Sequence, residues 1–244
     1  MGAVDEARLA LFRGLIDHAP LFPPASLPLA EALAEDARAQ AASSSFVLGR
    51  LVWPASRLGD SGGRERALSV VLDAPFEPDP RVEAVEVPPG GDVELAASIA
   101  SEVYVETPLD DDLEHHLVET AEHRLCAKAR CTDGPAQLSW FLVECHALRL
   151  PYKLTGGLHH AVRTEDEHGL LNVLAASVFG EEEAALAEDD PASFRLDDSG
   201  FAWRDRTVTA AEIAETRRTR LHSVGSCSFF EPVGELEALG MLQQ

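Results

Sequence analysis

Lysine is nearly missing from this chain. Two stand among its 244 residues, Lys128 and Lys153, and arginine supplies the rest of the twenty basic side chains. A composition that uses Arg wherever a solvated cation will do has kept Lys at two places only, and a permanently protonated guanidinium cannot replace an amine as a nucleophile. Basic charge is short overall, since the 42 acidic residues leave a formal net charge of −22. No run of five or more basic residues is present. That excludes the phosphate-tracking stripe that nucleic acid requires, and it disfavours anionic membranes for the same reason. The acidic runs Asp110–Asp112, Glu181–Glu183 and Glu188–Asp190 read as solvated, self-repelling surface. Cysteine is also sparse. Cys126, Cys131, Cys145 and Cys227 form no CxxC pair and follow no signal-like leader, the pattern of reduced thiols in a cytoplasmic protein. No apolar run reaches the length of a membrane span. Neither GxGxxG nor a Walker-type loop occurs, so no nucleotide cofactor is implied.

Hydrophobic residues make up 45% of the chain, enough for the core of one (β/α)₈ barrel, and no polar or Gly/Ser-rich linker divides it. The reading is a single domain over 1–244, with an N-terminal helical segment at 1–45 and a βα barrel at 46–244. Val4, Leu9, Leu11, Phe12, Leu15 and Ile16 recur at helical spacing and predict a helix over 4–17. A second helix is predicted over 27–42, capped by Ser26, with Pro28 in its first turn. From residue 46 onward, short apolar runs of strand length alternate with helical patterns. Strands are expected at 46–53, 68–73, 82–87, 103–106, 125–131, 150–155 and 223–229, and the stripe Leu138, Phe141, Leu142, Cys145, Leu148 marks a helix opened by Pro135. This alternation implies βαβ units and a parallel sheet. Two irregularities stand out. The segment 74–81 carries three prolines and is too short for a crossover helix, and 193–208 reads as a β-hairpin. The expected fold is a distorted TIM-like (β/α) barrel of seven or eight mostly parallel strands with N-terminal helices; an open doubly wound sheet is the alternative.

The two lysines each precede a Gly-containing turn at the C-terminal end of a predicted strand, where the catalytic groups of a parallel barrel sit. Residues two apart share a strand face, so Lys128 and Arg130 point together, as do Lys153 and Thr155. Outward-facing charge would be buried without partners beneath the helices, which places these cations inside near the mouth. They then require acids or an anionic ligand, and Glu106, Asp73 and Glu86 are the candidate partners. Burial beside other cations would lower a lysine pKa and make the amine nucleophilic. Gly156 and Gly157 let backbone amides approach a ligand, and Thr155 offers a hydroxyl. His159 and His160 are candidates for proton transfer, but adjacent residues in extended chain point opposite ways. That spacing suits a chelate poorly, so no tightly held transition metal is expected. His115 and His116 read as surface. Cys227 has no base beside it in sequence and reads as a buried structural thiol. The same network could also be a set of ion-paired props that binds nothing.

The strings KLTGGLHH and HGLLNVL, the upstream LFPPA and LGR segments and the terminal GSCSFFEP resemble an uncharacterised family of bacterial proteins common in actinobacteria, over nearly the whole chain. That family implies no activity. Across 125–160, two successive strands that each bear a lysine before a Thr/Gly turn are similar to class I aldolases of the deoxyribose-phosphate type. Three functions follow. The first is a lyase or aldolase-like enzyme acting on a small anionic carbonyl compound, with Lys153 as the Schiff-base amine, Lys128 depressing its pKa, and Glu106 or a histidine moving protons. The second is a metal-assisted hydrolase or isomerase built on His159 and His160. The third is a non-catalytic barrel that binds an anionic metabolite through Lys128, Arg130 and Lys153. Association of identical copies is left open.

Overall fold

The computed structural model describes residues 2–62 and 65–243. Strands β1 (Ile16–His18), β2 (Leu48–Pro54), β3 (Leu68–Val71), β4 (Val82–Val87), β5 (Glu102–Glu106), β6 (Cys126–Arg130) and β7 (Tyr152–Thr155) pair side by side in chain order. β8 (Phe194–Asp197), β9 (Gly200–Trp203) and β10 (Arg206–Val208) form a separate antiparallel sheet. β11 (Leu221–Ser226) then enters between β7 and β1 and closes a parallel barrel of eight strands. The helices are α1 (Ala3–Phe12), α2 (Leu29–Ala41), α3 (Val93–Ile99), α4 (Leu113–Glu122), α5 (Pro135–Leu148), α6 (Leu170–Phe179), α7 (Glu182–Leu186), α8 (Ala210–Thr219) and α9 (Phe230–Ala238). The expected α/β barrel is thus the fold, with the larger of the two strand counts.

The missing strand lay inside the predicted first helix, and the barrel begins at Ile16 rather than at residue 46. Helix α1 stops at Phe12 because Gly14 turns the chain at φ +59, after which Ile16, Asp17 and His18 pair with both β11 and β2. Three residues are too few to show a period of two, and Leu15 and Ile16 continue the helical spacing by coincidence. The second helix begins at Leu29 behind Pro28, not at a serine cap, since Ser26 takes a left-handed φ of 44 and makes no capping bond. Between β3 and β4 no helix forms. Phe76 of that proline-broken loop packs against the apolar clusters around Val70 and Val85, covering the barrel where a crossover helix would lie.

Most of the apolar core lies between the barrel and its helices. Helix α6 is apolar on every side because it sits beneath α5, α7, α8 and β10, and nearly all its residues are buried. Of its two buried polar residues, Ser177 donates to the Val173 carbonyl of the same helix at 2.6 Å, while Asn172 accepts from the Arg163 amide at 2.8 Å and donates to the carbonyls of Ala185 and Glu188 at 2.8 and 2.7 Å. The barrel interior is different. Where branched apolar side chains commonly fill such barrels, the inward positions here are occupied by charge.

Candidate active site at the mouth of the barrel

Strand parity assembles the interior. Glu102, Tyr104 and Glu106 share one face of β5, Lys128 and Arg130 one face of β6, and Lys153 and Thr155 one face of β7. Glu106, Lys128 and Lys153 are register partners on adjacent strands. On the opposite wall Asp17 of β1, Ser69 of β3 and Glu86 of β4 face them. Near the N-terminal end of the strands, Arg50 grips Glu102 bidentately at 2.6 and 3.0 Å, and Tyr104 bonds both Glu102 and His222, forming a polar floor.

Above that floor runs one ion-pair chain. Lys153 Nζ donates to Asp17 Oδ2 at 2.5 Å and to Glu86 Oε1 at 2.7 Å, and Lys128 Nζ contacts Glu86 Oε2 at 2.8 Å and Glu106 Oε2 at 2.9 Å. The two lysines therefore bind different oxygens of one carboxylate. Arg130 ends the chain at 3.7 Å from Glu106. Remaining acceptor capacity is filled: Ser69 donates to Glu86 at 2.7 Å, while Ser223 and the Arg50 amide donate to Asp17 at 2.9 and 2.7 Å. Three acids offset three cations, so the chain is neutral and its buried members are satisfied, as burial of charge demands. Burial alone would push the Glu86 carboxyl up, but Lys128 and Lys153 hold it well below the usual carboxylate range. Burial would likewise lower the Lys153 amine, yet Asp17 and Glu86 outweigh it and raise its pKa. This reverses the expected depression. Lys128 was to be the dominant neighbour of Lys153, but Glu86 stands between them.

A cavity of about 250 Å³ opens at the C-terminal ends of the strands. Lys128, Arg130, Thr155, Gly156, His159 and Cys227 are on its wall, with Phe22 and Pro24 of the loop after β1 across from them. Lys153 is fully buried beneath and does not line it. Gly225 is what lets this floor pack, since a Cβ there would meet Thr155 Cγ2 at 2.9 Å. His159 and Cys227 also border an outer cavity of about 650 Å³. Between them His159 Nε2 lies 3.1 Å from Cys227 Sγ, and His159 Nδ1 is 2.9 Å from Glu167 Oε2. The contact with Cys227 raises His159 most; burial opposes it, Glu167 adds to it, and the imidazole reaches about 9.

The structure brings together Lys128, Lys153, Glu106, Arg130, Thr155, Gly156 and His159. It separates the others. His160 turns away to Glu235 at 2.8 Å, and Gly157 lies outside the cavity wall, its φ of 61 letting the turn pass close to the Cys131 carbonyl. Asp73 bonds Ser56 instead, through its amide at 2.7 Å and its hydroxyl at 2.6 Å. Among the described residues no three His, Cys, Asp or Glu side chains converge as a metal site would require. No described helix is long and apolar enough to cross a membrane. Asp17, Ser69, Ser223, Glu167 and Cys227 escaped sequence reasoning. Only Cys227 left a readable signal: it continues the alternation Ser223, Gly225 that points inward. Comparison with known proteins adds no relative, for no protein-family model, curated protein or solved structure matches the chain.

Proposed function

We propose that the barrel mouth takes a small anionic carbonyl compound and that Lys128, rather than Lys153, is the amine that condenses with it in a lyase or aldolase-like reaction. The observation that carries this is the exposure of Lys128 to the cavity while Lys153 is sealed between two carboxylates. A proton leaves Lys128 for Glu106, 2.9 Å away, and Nζ adds to the carbonyl carbon; loss of water then forms the iminium. The iminium draws in the electron pair of the bond between the α and β carbons as it breaks, while the β-hydroxyl gives its proton to Glu106 and leaves as a carbonyl fragment. The enamine takes that proton back at the α carbon, and hydrolysis of the iminium returns the amine. His159 is placed to move protons at the mouth. Arg130 is more than half exposed and only loosely held by Glu106, so its guanidinium is free to receive the anionic group beside Thr155 and Gly156. Lys153 is a positioning residue that fixes Glu86 against Lys128.

Borohydride reduction after incubation with a panel of small aldehydes and 2-oxo acids, followed by peptide mass mapping, tests the reading. The expected result is an adduct on Lys128 that Lys128→Arg abolishes; an adduct on Lys153 would reverse the roles. Full ion pairing of both lysines favours one competing reading, a barrel that binds an anionic metabolite without reacting. Absence of any adduct, with calorimetric binding of a small dianion that Arg130→Ala removes, would establish that competitor instead.

A further inference from the structure

A second nucleophile faces the same mouth. Cys227 follows β11 directly, lines both the inner and the outer cavity, and is 8% exposed. His159 stands between Cys227 and Glu167, with Nε2 on the thiol and Nδ1 on the carboxylate, whose two oxygens lie at 2.9 and 3.2 Å. The three come from distant parts of the chain: Cys227 from the end of β11, His159 from the turn after β7, and Glu167 from the loop before α6. Glu167 is itself positioned, because its amide donates to Thr164 Oγ1 at 3.1 Å and its carbonyl accepts from the Thr164 amide at 2.9 Å. The other thiols lack such a setting. Cys126, Cys131 and Cys145 have no imidazole within bonding distance, and burial pushes all three up, Cys126 to about 12.

We infer that Cys227, His159 and Glu167 form a nucleophilic triad that transfers or hydrolyses an activated acyl group, a thioester or reactive ester whose acyl part carries a negative charge. The order nucleophile, imidazole, carboxylate is the one acyl transfer needs. The proton shared between Nε2 and Sγ already lies on Nε2, in keeping with the raised pKa of the His159 imidazole, when Sγ bonds to the carbonyl carbon and the carbonyl electron pair moves to oxygen. The carbon–sulfur or carbon–oxygen bond to the leaving group then breaks, and the same proton passes from Nε2 to that group. Water, deprotonated by His159, cleaves the resulting thioester on Cys227 and releases the acid. Glu167 is the positioning residue that holds the imidazole tautomer. Arg130 and Lys128, which line the same inner cavity, supply the preference for an anionic acyl group. This activity stands apart from the lysine chemistry, since it leaves a thioester on sulfur and needs no reductant to be trapped.

The test uses the full chain with 4-nitrophenyl acetate as probe. A burst of 4-nitrophenolate is expected, with a hydroxylamine-labile acetyl group mapped to Cys227. Cys227→Ser should remove the burst, and His159→Asn should slow acetylation by at least about 100-fold, the scale of a lost general base. Glu167→Gln should lower kcat more than it raises KM and shift the pH profile of acetylation, whereas Glu167→Asp should restore part of the rate. Melting temperature and circular dichroism report whether each variant is folded. Iodoacetamide labelling of the parent protein gives a measurement that needs no variant, and Cys227 should be alkylated ahead of the other three cysteines. Acetylation confined to lysine, a burst that survives Cys227→Ser, or alkylation of Cys227 no faster than that of Cys126 would each overturn the proposal.

Discussion

At the residue scale the decisive fact about Lys153 is that its ammonium has nowhere else to go. It is fully buried, donates to two carboxylates, and passes 5.6 Å over the Tyr104 ring. Removing one member of such a buried group strands the opposite charges without water, which costs about 3–5 kcal/mol. Lys153→Met should therefore lower stability by that amount in urea unfolding monitored by fluorescence, although methionine matches much of the lysine stem. A loss below about 1 kcal/mol, the worth of an exposed pair, would mean that Asp17 and Glu86 are reached by solvent. Lys128 differs in kind, since one side of its ammonium meets the cavity.

At the element scale, one asparagine joins two pieces of structure that the barrel does not order by itself. Asn172 on α6 ties the chain before that helix to the end of α7, and all three of its bonds are to backbone. Replacement by leucine keeps the volume but leaves buried backbone groups unpaired, each at a cost of about 1–3 kcal/mol. Asn172→Leu is expected to destabilise the chain by about 2–4 kcal/mol and to speed hydrogen exchange at the Arg163 amide. Unchanged exchange there would show that another acceptor takes over. Because the segment ordered by Asn172 includes Glu167, His159 should also lose its Nδ1 partner in this variant. Strand β1 illustrates the opposite economy: three residues carry Asp17 to the centre of the ion chain because β2 and β11 hold them on both sides.

For the whole molecule the interior charges set a pH window. The Glu86 carboxyl, depressed in the folded state, stabilises fully above its ordinary value of 4.5, and that contribution is lost as pH falls below it toward the folded value. Lys153, raised in the folded state, stabilises fully below its ordinary 10.5, and its contribution is lost as pH rises through the raised value. The His159 imidazole, raised in the folded state, takes stability away between its ordinary 6.5 and about 9, and His159→Asn removes it. In that variant unfolding free energy should accordingly be level from about pH 7 to about pH 10 and fall on either side, the acid limb starting near pH 7 because burial lowers His146, His168 and His222. Equilibrium denaturation across that range checks it, and a maximum confined to acid pH would contradict the balanced chain of charges. The net charge of −22 acts separately: surface self-repulsion is screened by salt, so moderate salt should raise the melting temperature at neutral pH.

Seven of the eight barrel strands, the hairpin, the helix opened by Pro135 and the inward placement of both lysines were legible in the sequence. Each rests on periodicity, which local sterics impose on the chain wherever it lies. The helix-free crossover was legible too, because three prolines in eight residues forbid a helix locally. What tertiary structure alone decided is of another kind. Strand β1 is three residues long and owes its pairing to neighbours some thirty and two hundred residues away. The carboxylate that separates Lys128 from Lys153 comes from β4, so an amine expected to be activated by a neighbouring cation is instead held charged by Asp17 and Glu86. Cys227 acquired its imidazole in the same way, across the closure of β11 against β7. Periodicity reports which face a side chain takes; its ionisation and its reactivity depend on what lies within about 4 Å through space, and in a closed barrel those neighbours come from strands far apart in the chain.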